Sequence, residues 1–328
     1  MRRARLVLRS VAPFLLSLPV LWALQRASPP DVSIVLVSIA VNVILAVSLN
    51  VVNGLTGQFS IGHAAFMAVG AYTAALITTG VQDLQILGLP EGASDQVIFL
   101  GALVAGMAMA SLAGLVVGIP SLRLRGDYLA IVTLGFGEII RVVIENTRVL
   151  GQATGISGLP PYTNVVWAGM GVVATVVMAR RLLLSTQGRA LLAIREDEVA
   201  AEAMGVDTVG WKVRAFVISA AFAGLAGALL VHKIQLVTPR MFTFVKSMEV
   251  VVMVVLGGMG SITGSIVAAT VLTVALEWLR GLDQYRMVIF SMLLIVLMLT
   301  RPTGIFGTRE IWDALPRFLR RRGAGRAR

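Results

Sequence analysis

Two groups of polar residues interrupt long apolar stretches of this chain. Asn50, Asn53, Gln58 and His63 flank or occupy a glycine-rich segment, Asn53-Gly-Leu-Thr-Gly-Gln-Phe-Ser-Ile-Gly62. Amide and imidazole groups there either line a route for the ammonium and carboxylate of a zwitterion or hydrogen-bond between helices; for Asn42, a little upstream, the second use is expected. His63, beside Gly62 and Ala64, reads as a structural hydrogen-bonder. His232 is far off in sequence at the end of an apolar run, so no metal pair is expected. The second group is Glu138 and Arg141, three residues apart and hence on one helical face, able to pair. An ionisable group in a membrane span is costly enough to signal function, here a pathway or a gate. The alternative is that Arg141 and Glu145 lie near the outer end and snorkel to water.

Covalent chemistry has no visible apparatus. Lys212, Lys233 and Lys246 are the only lysines and none follows a glycine, so no Walker A loop exists to hold ATP phosphates. There is no His-Glu-x-x-His helix, no Gly-x-Ser-x-Gly elbow and no cysteine. The expectation is a protein that is not an enzyme, with no cofactor or metal of its own.

The elements that would position these groups are membrane spans. Hydrophobic residues make up 57% of the 328 and charged residues 14%, against about a quarter charged in soluble domains. Mean hydropathy is +0.87. The net charge of +11 does not indicate a nucleic-acid partner, because the basic residues are concentrated beside apolar runs, as in membrane proteins whose cytoplasmic loops collect Arg and Lys. With no cysteine, a disulfide-stapled secreted domain is excluded.

A membrane helix needs about 20 apolar residues. The hydropathy pattern predicts an all-α polytopic membrane protein with about ten transmembrane helices, near Leu6 to Leu24, Val32 to Val52, Gly62 to Thr79, Val97 to Ile119, Tyr128 to Ile144, Val165 to Ala179, Val213 to Val231, Met248 to Met259, Gly264 to Leu279 and Met287 to Thr300. The first run, behind a basic head, is read as an uncleaved span. With both termini cytoplasmic, the head, Arg123 and Arg125, the Arg180 to Arg195 segment and the tail after Arg301 all fall inside, while Asp83, Glu91 and Asp95 fall outside. Lys233, Arg240 and Lys246 also fall outside, against the trend. Gly114 with Gly118, Ala220 with Gly224 and Ala223 with Gly227 stand four apart, the spacing that lets helix backbones approach closely.

The glycine-rich break itself has two readings. Irregular backbone in lipid survives only where it is buried in protein or lines water, which makes Asn53 to Gly62 part of a pathway. A plain hairpin turn at Gly54 and Gly57 is the other. The pair Gly257/Gly260 looks like an echo of Gly54/Gly57, and this topology puts both on the same side. Between spans, residues 180–211 form the longest polar segment. Its centre, Arg195-Glu-Asp-Glu-Val-Ala-Ala-Glu-Ala-Met-Gly205, predicts a short amphipathic helix ended by Gly205, suited to docking; a helix lying on anionic lipid is the alternative, which the acidic face disfavours.

The order Asn53-Gly-Leu-Thr-Gly-Gln-Phe-Ser-Ile-Gly-His-Ala-Ala-Phe66, followed by Gly70-Ala-Tyr72, resembles the signature of LivM-type permeases, membrane subunits of branched-chain amino acid ABC importers. Ser121 to Arg141, Gly188 to Leu230 and Gly257-Gly-Met-Gly-Ser-Ile-Thr-Gly264 resemble the same family, in its order. Related permeases for urea and amides share much of this pattern. The resemblance implies a permease bundle in a bacterial inner membrane, importing leucine, isoleucine and valine. It implies a homologous LivH-type permease, two ABC ATPase subunits that bind the ATP, and a periplasmic solute-binding protein as partners, in contact with membrane lipid. It also implies that the loop with Arg195, Glu198, Ala200, Ala201, Glu202 and Gly205 inserts into the ATPase, Glu198, Ala200, Ala201 and Gly205 being the nearest matches to the EAA pattern. On this division residues 1–31 are the basic head and first span, 32–304 the permease domain with its coupling loop 180–211, and 305–328 a basic cytoplasmic tail. An ion-coupled secondary transporter, with Glu138 as its carboxylate, is the rival.

Overall fold

The computed structural model describes residues 2–81, 91–122 and 128–279, with Met292, Ile295, Gly304, Gly307 and Glu310. Asp83, Arg123, Arg125, the rest of the run Met287 to Thr300 and the rest of the tail 305–328 lie outside the described residues. The helices are α1 Arg2–Ala27, α2 Pro30–Asn50, α3 His63–Gly80, α4 Glu91–Ser121, α5 Tyr128–Asn146, α6 Val165–Leu184, α7 Thr186–Glu196, α8 Glu198–Ala203, α9 Thr208–Ile234, α10 Phe244–Gly257 and α11 Ile262–Trp278. Local chemistry sets many of the starts. Asn164, Ser185, Asp197, Asp207 and Ser261 each accept a backbone N–H of the helix they precede, which satisfies donors the first turn leaves free.

Among the described residues, Pro30–Leu55, Gly92–Ser121, Val165–Leu184 and Thr208–Ile234 are long and apolar enough to cross a membrane. The first includes α2 and a π-helical turn, Val51–Leu55, and is buried throughout from Ala40 to Thr56. It is the central column, touching α6, α9, α10 and α11.

Glycine makes the tightest contacts around it. A Cβ on Gly70 of α3 would stand 2.2 Å from Gly224 Cα of α9, and one on Gly224 would stand 2.5 Å from Ala110 Cβ of α4. One on Gly227 would stand 2.0 Å from the Met67 carbonyl oxygen, and one on Gly114 2.6 Å from Ala220 Cβ. The small-residue spacing therefore serves packing within the chain, with α3, α4 and α9 joined nearly backbone to backbone.

The helices alternate between two ends of the bundle. One, the basic end, carries Arg180, Arg181, Arg189 and Arg195; α1 runs antiparallel to α6, with Leu21 against Gly169 and Phe14 beside Met178 and Arg181, so its N-terminus lies there too. At the far end, Lys233 Nζ donates to Ser33 Oγ and His232 shares a hydrogen bond with Thr78. Among the described residues the strands are confined to a two-residue antiparallel ladder, β1 Ile156–Ser157 with β2 Leu236–Val237, which fastens the α5–α6 connection to the segment leaving α9. That segment does not stay outside. It turns back through a 3-10 turn at Pro239–Phe242, packs Phe242 on Tyr72 of α3 and begins α10 within the bundle. Lys246, expected outside, therefore lies beside Asn42, about halfway along Pro30–Leu55.

Candidate functional site

The glycine-rich break is neither a bare hairpin nor a loose loop. α2 ends in the π turn, Thr56 to Gly62 are non-helical, and α3 restarts at His63. Asn53 Oδ1 accepts the Ser60 N–H, folding the break on itself. Asn50 reaches the second glycine break: its Oδ1 accepts Gly260 N–H at 2.8 Å and its Nδ2 donates to the Ser261 carbonyl at 3.0 Å. A Cβ on Gly54 would stand 2.4 Å from Gly260 N, so the two breaks touch at the basic end. Gly260 has φ +96°, a conformation that favours glycine. Glu310 closes the arrangement, accepting the N–H groups of Ile262 and Thr263 at the start of α11.

Arg195, at the last turn of α7, is inserted between these breaks. Its Nη1 donates to the Gly54 carbonyl at 2.8 Å, its stem lies against Gly57, and its guanidinium lies over Gly260. The expected single amphipathic helix is two, α7 and α8, separated at Asp197. There the backbone is extended and the carboxylate accepts Val199 and Ala200 N–H, the strong N-cap preference of Asp outweighing helix continuity. Gly205, at φ +85°, follows the end of α8 as expected. Glu198 points inward and pairs with Lys212 of α9 at 2.5 Å, the lysine being only 2% exposed. Ala201 is buried, while Ala200, Glu202, Val199 and Met204 face outward, the last two 61% and 85% exposed. Between the break and these helices lies a polar cavity of about 280 Å³, bordered by Gln58, Arg195, Glu196 and Lys212.

His63 shares a 2.9 Å hydrogen bond with Ser48, whose carbonyl accepts Ser219 Oγ–H from α9. Asn50 is likewise engaged by protein. Asn53 Nδ2 and Gln58 Oε1, by contrast, are buried without a partner among the described residues, and buried polar atoms of this kind call for an explanation.

On α5, Arg141 bonds Glu138 at 2.7 Å and Glu145 at 2.6 Å, all three part-exposed. Arg141 borders a narrow crevice with Ala65 and Ala68 of α3 and with Phe242, just before α10. Ile131, Ile139, Val142 and Val143 are about half exposed or more, which makes α5 a charged and apolar face that no described element covers. Sequence reading missed a second pair. Lys246 Nζ lies 3.0 Å from Glu249 Oε2 and 3.0 Å from Asn42 Oδ1, and Asn42 Nδ2 donates to Thr273 of α11. The signal was the same three-residue spacing as Glu138 and Arg141, in a run too short to cross a membrane unaided.

The family profile described as the permease component of the branched-chain amino acid transport system matches residues 32–300. The chain is 38% identical over 298 residues, covering 80% of it and 67% of the relative, to the high-affinity branched-chain amino acid transport system permease protein LivM of Escherichia coli K12. It is 26% identical over 290 residues to that organism's LivH, covering 82% and 92% of the two chains. To the probable branched-chain amino acid transport permease protein LivM of Methanocaldococcus jannaschii it is 24% identical over 326 residues, covering 85% and 94%. No solved structure matches the chain significantly.

Proposed function

The chain belongs to the family of branched-chain amino acid transport system permease components, and on that premise we propose that it forms half of the passage of an ATP-driven importer for leucine, isoleucine and valine. Members of this family are transport permeases rather than enzymes, and this chain is a multi-pass membrane protein of that kind. The fuller reading has about ten spans in a bacterial inner membrane with both termini cytoplasmic, which makes the basic end the cytoplasmic one. A homologous LivH-type permease covers the open face of α5, two ATPase subunits bind and hydrolyse ATP, and a periplasmic solute-binding protein delivers the amino acid.

One observation carries this reading. The α7–α8 hairpin, with an exposed outer side at Val199 and Met204, is tied inward at two places, Arg195 to Gly54 and Glu198 to Lys212. A partner pushing on α8 thereby moves both glycine breaks and α9, which is what coupling requires. In the pathway, Asn53, Gln58, Glu138 and Arg141 meet the solute, while Asn50 and His63 hold its walls. The test is reconstitution in vesicles together with the LivH-type permease, the ATPase subunits and the solute-binding protein. Leucine uptake that requires ATP and the ATPase subunits is the expected result; uptake persisting without them defeats the coupling claim.

A further inference from the structure

We propose that Lys246 and Glu249 form a station for the charged ends of a zwitterion midway along the passage. The inference rests on the reading of the chain as an amino acid permease and names residues that would meet the solute. The two side chains are 21% and 23% exposed, although Asn42, bonded to the lysine, is about halfway along a 26-residue spanning segment. An ion pair at that depth turned towards lipid is strongly disfavoured; its open fraction belongs on a protein interface or a watered path. Discontinuous helices that begin inside a bundle are where transporters place such groups, and α10 begins there.

The bonding capacity of the pair fits an α-amino acid. An ammonium has three donors, and those of Lys246 reach Asn42 and Glu249 among the described residues. A third donor remains for a carboxylate. Glu249 accepts that one bond from Lys246 and keeps lone pairs for an ammonium. A zwitterion laid across the pair adds one charge of each sign, so the site stays neutral as the solute enters and leaves. Asn42 and Thr273 hold the lysine from behind and fix its direction. A neutral solute such as urea gains nothing from this pair, so the site favours amino acids over the uncharged substrates of related permeases.

The test uses the complete importer in proteoliposomes, with labelled leucine and labelled urea. The double variant Lys246→Met/Glu249→Met removes both charges together, leaving no lone buried ion. Normal assembly and ATP hydrolysis with leucine uptake reduced about tenfold or more is the expected result, the loss of a charge-assisted contact. Uptake within about twofold of the unmodified importer would overturn the station while leaving the amino acid reading intact. An unmodified importer that moves urea and not leucine would overturn both. Should the double variant fail to assemble, Lys246→Arg/Glu249→Asp keeps the charges but shifts their positions. A severalfold rise in the KM for leucine then supports the station, and an unchanged KM overturns it.

Discussion

Arg195 donates a 2.8 Å hydrogen bond to the carbonyl of Gly54, so a side chain on a helix at the basic end is fixed to the backbone of the break in the central column. The contact is charge-assisted and lies between two glycine turns that touch each other. A displacement of α7 therefore cannot leave the turns unmoved. Substituting Arg195→Ala removes the tether without placing a new group in the bundle. A hydrogen bond from a charged donor contributes about 1.5–3 kcal/mol, corresponding to roughly a tenfold or larger change in coupling. ATP hydrolysis by the assembled importer should persist while leucine uptake per ATP falls by about that factor. An unchanged ratio would remove Arg195 from the coupling route.

The glycine contacts predict sharp differences among Gly→Ala substitutions. At Gly54 a Cβ would stand 2.0 Å from Asn50 Oδ1 and 2.4 Å from Gly260 N, against backbone that has no room to retreat. Overpacking of this kind costs about 1–3 kcal/mol, and loss of the Asn50 clamp adds to it. Gly101, by comparison, has nothing within 4 Å and ordinary helical surroundings, so Gly101→Ala should be neutral or slightly stabilising. Thermal unfolding in detergent measures both. A Gly54→Ala protein as stable as Gly101→Ala would contradict the packing described.

The outer side of α8 predicts a loss of partnership without loss of fold. Val199 and Met204 are 61% and 85% exposed, whereas Ala201 and the Glu198–Lys212 pair face inward. Val199→Asp/Met204→Asp puts charge into whatever apolar pocket receives this helix and leaves the inward contacts alone. Copurification with the ATPase subunits should drop at least about tenfold, with melting temperature unchanged. Breaking the pair by Lys212→Met is expected to act differently, lowering stability as well, because Glu198 loses its buried partner.

Several of these relationships were visible as residue patterns and several were not. The break at Asn53 to Gly62 stands out because glycine and polar residues interrupt apolar sequence, and the helix-packing glycines announce themselves by spacing. What the spacing could not give is which backbone each glycine meets, Gly70 on Gly224 and Gly54 on Gly260 being contacts between distant elements. The division of the docking segment at Asp197 was legible in principle, since Asp followed by a short Ala-rich run is a capping signal. Lys246 was misplaced for a physical reason. A charged residue beside a short apolar run reads as a loop end by hydropathy, whereas the β1–β2 ladder and the contact of Phe242 with Tyr72 help turn the chain back into the bundle. Nothing local encodes that return.

The α5 charges separate the ATP-driven reading from its ion-coupled rival. Arg141 is held between Glu138 and Glu145 at 2.7 and 2.6 Å, so neutralising one carboxylate leaves the arginine paired with the other. Glu138→Gln should therefore assemble normally, the remaining bond from Arg141 keeping the face in order, and leucine uptake, slowed by the loss of a carboxylate that meets the solute, should still require ATP and the ATPase subunits. Arg141→Met, by contrast, leaves Glu138 and Glu145, about two turns apart on one helical face, without their shared cation, and both assembly and uptake should fall. In the ion-coupled alternative Glu138 is the proton carrier. Uptake would then follow a proton gradient in vesicles lacking ATPase subunits and vanish in Glu138→Gln, whereas a passage opened from the basic end through Arg195 has no use for that proton.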